Sequence, residues 1–275
     1  QMCYSQHSID WKERTIIVND HIRIKSLRYS LLVVLIGVLS GCASMFDDDL
    51  VLDLQECIAN QNDPEIVRTG APAYMLIIDG NIQSNQNDRG LLMAGARLYG
   101  TYATVFVEDK TRAKLLSARA RDFARRAICL ARPELCQPDQ NSFDRFVAVI
   151  NKMEKGDIDL LYTYATTWAA WVLANKEDWN AIADLPKIEA MMERVVALDD
   201  GYEGGQTHVY LGVLKTRLPA SMGGKPEQGR AHFEQAIKLS GGRNLVAKVE
   251  LARGYARLVF DRKLHDSLLN EVIKA

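Results

Sequence analysis

The sequence predicts an all-α protein built as an array of antiparallel helix pairs. From Asp63 onward, apolar residues recur at intervals of three and four, which is the spacing of one face of an α-helix. No stretch alternates convincingly between apolar and polar residues, and no Asn-Gly or Asp-Gly turn links two β-rich runs. The seven prolines all fall at the edges of periodic segments, where they can begin or end a helix without breaking one.

The periodic segments follow one another along the chain as successive helices. In order, their apolar stripes cover residues 91–106, 113–130, 143–153, 161–171, 188–198, 229–240, 245–259 and 264–272. The second stripe carries Lys and Arg on its outer side, and Lys110–Thr111 is its candidate N-cap. Asp184 followed by Pro186 marks the start of the fifth. Glycine pairs such as Gly204–Gly205 and Gly241–Gly242 provide left-handed stops or loose turns between helices.

Small residues recur at regular places in these helices and indicate a repeat. In a tetratricopeptide (TPR) unit, Ala and Gly let two helix backbones approach closely, so that each repeat buries its apolar stripe on the next. The matching sets are Ala120, Ala124 and Ala127; Gly229, Phe233 and Ala236; and, in part, Ala190, Arg194 and Ala197. The sequence therefore predicts degenerate TPR-like repeats. An irregular helical bundle is the alternative.

A secretory signal precedes the helical region. Three basic residues between positions 23 and 28 lead into an apolar core of about nine residues, which is shorter than the roughly 20 needed to cross a bilayer. The core ends in Leu39-Ser40-Gly41-Cys42, which resembles the lipobox of bacterial lipoproteins. The resemblance implies that Cys42 is the lipidated first residue of the mature protein. The alternative is an uncleaved anchor with an incidental cysteine.

These features divide the chain into three parts. Residues 1–41 are expected to be a spurious N-terminal extension, since Gln1 is not an initiator, followed by the signal peptide. Residues 42–50 form an acidic linker next to the lipid, and residues 51–275 form a single TPR-like domain. By resemblance, Ala43 directly after the lipidated cysteine implies the periplasmic face of the outer membrane in a Gram-negative envelope.

No pattern of reactive side chains predicts an enzyme, a metal site or a cofactor. The motifs His-Glu-x-x-His and Gly-x-Ser-x-Gly are absent. The Gly-Gly-Lys-Pro at 223–226 has proline where a phosphate loop has Ser or Thr, so a connecting loop is the better interpretation. The 34 Lys and Arg nearly balance the 35 Asp and Glu, so net charge gives no support for nucleic-acid binding.

Two cysteines are candidates for a disulfide. Cys129 and Cys136 lie on either side of Pro133, at the end of a predicted helix. An oxidising envelope permits a bridge between them. The spacing allows this pairing without deciding it, and Cys57 is left as an odd thiol.

A set of aromatic residues is the candidate for a binding groove. Tyr and Trp combine an apolar ring with one polar group, which suits a concave surface that holds a partner or an organic ligand. The set, with one histidine, is Tyr99, Tyr102, Tyr164, Trp168, Trp171, His208 and Tyr210. Helical spacing of this kind is also typical of a core, and His208 also suits a half-exposed helix position.

Several passages resemble the T component of tripartite ATP-independent periplasmic (TRAP) transporters, the TatT family. They include residues 53–60 and 62–74, Leu-Tyr-Gly-Thr-Tyr-Ala at 98–103, residues 106–109, Gly-Gly at 204–205 and Tyr-Leu-Gly at 210–212. The best are Gly-Gly-Lys-Pro at 223–226 and Ala-His-Phe-Glu-Gln-Ala at 231–236, and residues 261–262 and 268–272 close the match. The family usually continues with a further helix, so the domain is expected to be truncated at its C-terminus.

The resemblance implies a lipid-anchored, non-enzymatic helical protein with TPR-like repeats. Its expected partners are the periplasmic solute-binding subunit of a TRAP transporter, a membrane through the N-terminal lipid, and a hydrophobic or organic-acid ligand. Homo-oligomers are plausible because repeat arrays have apolar ends. Two alternatives remain open at this point: carriage of a hydrophobic small molecule in its own helical cavity, and an outer-membrane assembly scaffold.

Overall fold

Helices succeed one another along the part of the chain that the computed structural model describes, residues 61–137 and 142–275. These residues contain no β-strand, so the all-α prediction is confirmed for them. The α-helices are α1 (Pro64–Ser84), α2 (Arg89–Val105), α3 (Lys110–Ala131), α4 (Phe143–Ile150), α5 (Ile158–Ala174), α6 (Trp179–Ala183), α7 (Leu185–Leu198), α8 (Tyr202–Lys215), α9 (Pro226–Leu239), α10 (Leu245–Glu250) and α11 (Arg262–Lys274). Short 3₁₀ turns occur at Pro133–Leu135, Lys155–Asp157 and Ala220–Met222.

Aspartates begin the first three helices. The side chains of Asp63, Asp88 and Asp109 accept backbone N–H groups of the first turns of α1, α2 and α3. Each carboxylate satisfies a donor that has no partner inside the helix and stabilises the positive end of the helix dipole. The cap of α3 is thus Asp109, one residue before the predicted Lys110–Thr111, because a carboxylate is the better acceptor at that position.

The core extends through most of the helices. Helix α3 packs against α2 and α5, α7 against α5, and α8 against both α7 and α9. The largest fully buried side chains include Trp168, Tyr164 and Phe146 in the main cluster and Phe233 in a second cluster formed by α9, α10 and the residues after them. No helix among the described residues is long and apolar enough to serve as a membrane span.

Close helix approach occurs at most of the small residues that the repeat pattern selected. Ala120, Ala124 and Ala127 have no exposed surface. A Cβ added to Gly212 in α8 would lie 2.5 Å from the ring of Phe233 in α9, so these two helices meet without space for a methyl group. The partial match in α7 behaves differently, because Ala197 is exposed. Helix α7 instead buries a Met-rich stripe, and the TPR-like arrangement stays a prediction.

Pro72 contradicts the expectation that every proline lies at a helix edge. It lies inside α1, where its ring nitrogen cannot donate to the carbonyl of Arg68 one turn earlier. The hydroxyl of Tyr102 in α2 donates to that carbonyl instead, at 3.1 Å. The neighbouring helix therefore supplies the hydrogen bond that the proline removes, and α1 continues through Pro72.

The predicted stripe over residues 245–259 is likewise not one regular helix. After Glu250 the chain forms a wider π-helical turn, Leu251–Ala256. Phe260 then adopts a left-handed conformation (φ 60°) and its side chain is 92% exposed. Gly204, Gly205, Gly241 and Gly242 have the positive φ predicted for them, but Gly204 and Gly205 form a kink inside the first turns of α8 and do not separate two helices. The backbone of the C-terminal region therefore departs from a regular α-helix at positions that the apolar periodicity does not indicate.

Candidate functional site

The aromatic residues of α5 lie in the interior of the protein. Tyr164 and Trp168 have no exposed surface and pack against each other with ring centroids 5.1 Å apart. The Trp168 indole donates to Asp184 at 3.1 Å, and the guanidinium of Arg121 lies between Trp168 and Trp171, 4.3 and 4.2 Å from their centroids. Such cation–π contacts hold α3 against α5. These aromatics therefore stabilise a helix junction.

The tyrosines of α2 join α2 to α1 and α3. Tyr99 is 5% exposed, donates to Asp79 at 2.6 Å and packs edge-on against Phe123. Burial, together with the hydrogen bond to the Asp79 carboxylate, raises the pKa of Tyr99 to about 12. Tyr102 is equally buried. The Tyr99 hydroxyl thus acts as a hydrogen-bond donor at neutral pH.

Tyr210 belongs to an aromatic group between α5 and α8. Its ring packs edge-on against Tyr162, with centroids 6.2 Å apart, and Tyr162 packs in the same way against Tyr202 at 5.2 Å. Burial raises the pKa of Tyr210. The predicted aromatic set therefore divides among three neighbourhoods instead of lining one groove, and core packing accounts for the position of most of its members.

His208 is buried, which corrects its interpretation as a half-exposed residue. Its side chain is 5% exposed. One ring nitrogen is 3.0 Å from Asp200, and the other is 2.8 Å from the Nδ1 atom of His232 in α9. Burial, followed by repulsion from His208 and from Lys215, lowers the pKa of His232. The two imidazoles link α8 to α9.

A buried lysine lies near the histidine pair. The ammonium of Lys215 contacts the carboxylates of Glu189 and Glu193 in α7, the second at 3.0 Å. Burial alone would lower the pKa of Lys215, but the two carboxylates raise it above its ordinary value. This ion pair and the histidine pair are structural links between helices. No group of His, Cys, Asp or Glu in the described part of the chain is arranged to hold a metal ion.

Two open concavities lie elsewhere on the described surface. The first, which we call the arginine cleft, has a volume of about 720 Å³ and lies between α1 and α3. Its walls are formed mainly by Leu76, Asp79 and Gly80 on one side and by Arg119, Phe123 and Arg126 on the other. Amide side chains of residues 83, 86 and 87 line one end.

The second concavity, which we call the lysine groove, has a volume of about 240 Å³. It lies between the end of α2, the start of α3 and the end of α5, and its walls are rich in alanine. Lys110 and Lys114 each lie within 4 Å of Glu177 at its rim, at 3.9 and 3.7 Å. No member of the predicted aromatic set lines either concavity. In the sequence, only the basic residues on the outer side of α3 pointed toward the arginine cleft.

The structure joins Cys129 and Cys136 in a disulfide, with Cα atoms 4.6 Å apart. The bridge connects the end of α3 to the turn that follows it. Cys42, the predicted lipid attachment site, and Cys57 lie outside the described residues.

A comparison with protein families identifies the chain. Residues 60–275 match the family described as TRAP transporter T-component. The chain belongs to this family. The T-component takes part in TRAP transport. No individual curated protein matches the sequence. The match covers every described helix of this T-component, so both concavities lie within the family region.

Proposed function

We propose that this T-component binds the periplasmic solute-binding subunit of its TRAP transporter and assists ligand uptake while tethered to a membrane. The family match over residues 60–275 carries this proposal. Two features of the domain support it. Helices joined by buried aromatic and ionic contacts form a stiff scaffold, and the arginine cleft and lysine groove give that scaffold concave surfaces.

The experiment that tests the proposal measures binding between the two proteins. The full chain, purified from membranes in detergent, is titrated by calorimetry with the solute-binding protein encoded beside the transporter genes. A solute-binding protein from an unrelated importer is the matched control. We expect a micromolar or tighter complex with the cognate protein only. No heat of binding at high micromolar concentration, or equal binding of the control, would refute the proposal.

The membrane tether is a separate part of the proposal and rests on Cys42. A diacylglyceryl or palmitoyl group on this cysteine would hold the domain at a membrane surface, and several lipid chains are needed for stable anchoring. Cells grown with an alkyne-labelled fatty acid should label the wild-type chain and leave Cys42→Ala unlabelled. Label that persists in the variant would contradict the assignment, as would an unlabelled wild type. The outer-membrane location is tested by membrane fractionation of the same cells.

The lysine groove favours one second function, carriage of a small organic acid by the domain itself. Its alanine walls suit a short apolar body, and a ligand carboxylate would compete with Glu177 for the rim lysines. The volume of about 240 Å³ lies just below the usual range of ligand pockets, so the ligand would be small. Native mass spectrometry of gently purified protein tests this function. A consistently unliganded mass would argue against it.

A further inference from the structure

The outer face of α3 carries a line of arginines. Arg112, Arg119 and Arg126 are spaced by seven residues, which is two helical turns, so they lie along one side of the helix over about 21 Å. Leu115 lies on the same line and is 67% exposed. Helix α3 as a whole contains seven Lys and Arg against one Asp, whereas the complete chain has a net charge of −1. The positive charge is therefore concentrated here.

Aromatic rings hold these guanidinium groups in place. Arg112 lies 5.6 Å from the ring centre of Tyr102, Arg119 lies 5.3 Å from that of Phe123, and Arg126 lies 5.8 Å from the same ring. Stacking on a ring uses the flat face of a guanidinium and leaves N–H groups at its edge for an acceptor. The arginines are thus ordered before any partner arrives, which reduces the entropy lost on binding.

Two of the three aligned arginines have no acidic partner within the described residues, whereas the other five Lys and Arg of α3 each lie within 4 Å of a carboxylate. Arg119 forms an ion pair with Asp79 at 2.9 Å, whereas Arg126 donates to the backbone carbonyl of Gln86 at 2.8 Å. Arg112 is exposed and, among the described residues, has no carboxylate within ion-pair distance. One carboxylate therefore faces three guanidinium groups, and the surface retains a local excess of positive charge.

The opposite wall of the arginine cleft is apolar at its outer edge. Leu76 in α1 is 73% exposed, and a Cβ added to Gly80 would meet no atom within 4 Å. Arginine is enriched in protein-binding hot spots, and the exposed side chains of Leu76 and Leu115 add apolar surface beside these arginines. The Asp79 carboxylate would repel the phosphates of a nucleic acid, and the phosphate backbone offers no apolar group to cover the leucines. The chemistry therefore favours a protein segment that combines carboxylates with apolar side chains.

We propose that the arginine cleft, with its extension to Arg112, is the surface that receives an acidic segment of the solute-binding subunit. This inference rests on the proposed function and specifies where the two proteins meet and which charges match. The carboxylates of the acidic segment would accept hydrogen bonds from the N–H groups at the edges of Arg112 and Arg126, in the bidentate geometry that guanidinium groups favour. Apolar side chains of the segment would cover Leu76 and Leu115.

Two cleft variants and one control test this surface in the full chain. Arg112→Glu reverses one charge, and Leu76→Asp adds a negative charge on the opposite wall without removing any arginine. Lys263→Glu, on the exposed start of α11, makes the same change in charge as Arg112→Glu and is the matched control. Circular dichroism and melting temperatures establish that each variant is folded. Binding to the solute-binding protein is then measured by calorimetry at low and high salt.

We expect both cleft variants to weaken binding by about tenfold or more, and the control by less than about twofold. Raising NaCl from about 50 to about 300 mM should weaken wild-type binding more than that of Arg112→Glu, because fewer charges then remain to be screened. If all three folded variants bind the solute-binding protein as tightly as the wild type does, the inference is overturned and the proposed function stands. Displacement of the partner by a DNA oligonucleotide at similar concentration would also overturn it. Absence of any wild-type complex would refute the proposed function itself.

Discussion

Replacing Gly212 by alanine tests the close packing of α8 against α9. A Cβ at this position would lie 2.5, 2.6 and 2.7 Å from three ring atoms of Phe233. Contacts below 3.0 Å force the ring to move, and Phe233 has no exposed surface into which it could move. Gly254 of the π-helical turn is a neighbour of the other ring edge, since a Cβ built on it would lie 3.8 Å from Cε2 of Phe233. The displacement would therefore reach the last helices.

Two opposing effects determine how much Gly212→Ala changes the free energy of unfolding. Alanine stabilises a helix interior by about 1 kcal/mol relative to glycine. Overpacking a buried site costs about 1–3 kcal/mol, and three contacts below 3.0 Å place this site at the upper end. The net loss in the free energy of unfolding is then about 2 kcal/mol, or about 4–8 °C in melting temperature for a domain of this size.

Gly70→Ala is the matched control, because Gly70 lies inside α1 and a Cβ there would meet no atom within 4 Å. Calorimetric melting should show Gly212→Ala below the wild type and Gly70→Ala about 2–4 °C above it. Adding Phe233→Leu to Gly212→Ala should recover part of the loss, since the smaller side chain relieves the contact. If Gly212→Ala is as stable as Gly70→Ala, the two helices do not meet as described.

Three further changes test other links in the fold. Tyr102→Phe should cost about 1 kcal/mol in urea unfolding because the Arg68 carbonyl loses its part-buried hydrogen bond, and adding Pro72→Ala should recover part of that loss by restoring a backbone N–H; simple additivity would contradict this explanation. Because the pKa of His232 is lowered in the folded protein, the unfolded chain binds the extra proton first as the pH falls below about 6.5. Stability should therefore decline there by up to about 1.4 kcal/mol per pH unit for this group, and His232→Asn should show a shallower slope; equal slopes would be the contrary result. Reducing the disulfide after α3 should lower stability by about 2–3 kcal/mol, and peptide mapping without reductant should recover the bridged fragment.

The helices were predictable because their signals are local. Apolar spacing marks a helix within a few residues, as it does for α2 and α3, and Ala120, Ala124 and Ala127 proved to be buried at a helix contact. Such signals require only neighbours in sequence. Fold class was therefore accessible from the chain alone.

Long-range contacts explain what the sequence did not predict. Pro72 stays inside α1 only because a hydroxyl from α2 replaces its missing hydrogen bond. His208 and His232 are 24 residues apart, and nothing in either local pattern indicates that their rings meet. The aromatic residues were correctly singled out as unusual, but their spacing cannot distinguish a helix junction from a groove. The arginines of α3 contact Phe123 of the same helix, but the cleft also depends on Tyr99 and Tyr102 of α2, which lie against Arg119 and Arg112.

Hydrogen–deuterium exchange tests most directly whether this T-component docks a solute-binding subunit. The full chain is labelled with and without a saturating amount of the cognate subunit, and exchange is followed peptide by peptide. We expect slower exchange in peptides covering residues 76–87 and 112–126, and no change in α11. Identical exchange in every peptide with and without the subunit would contradict docking altogether.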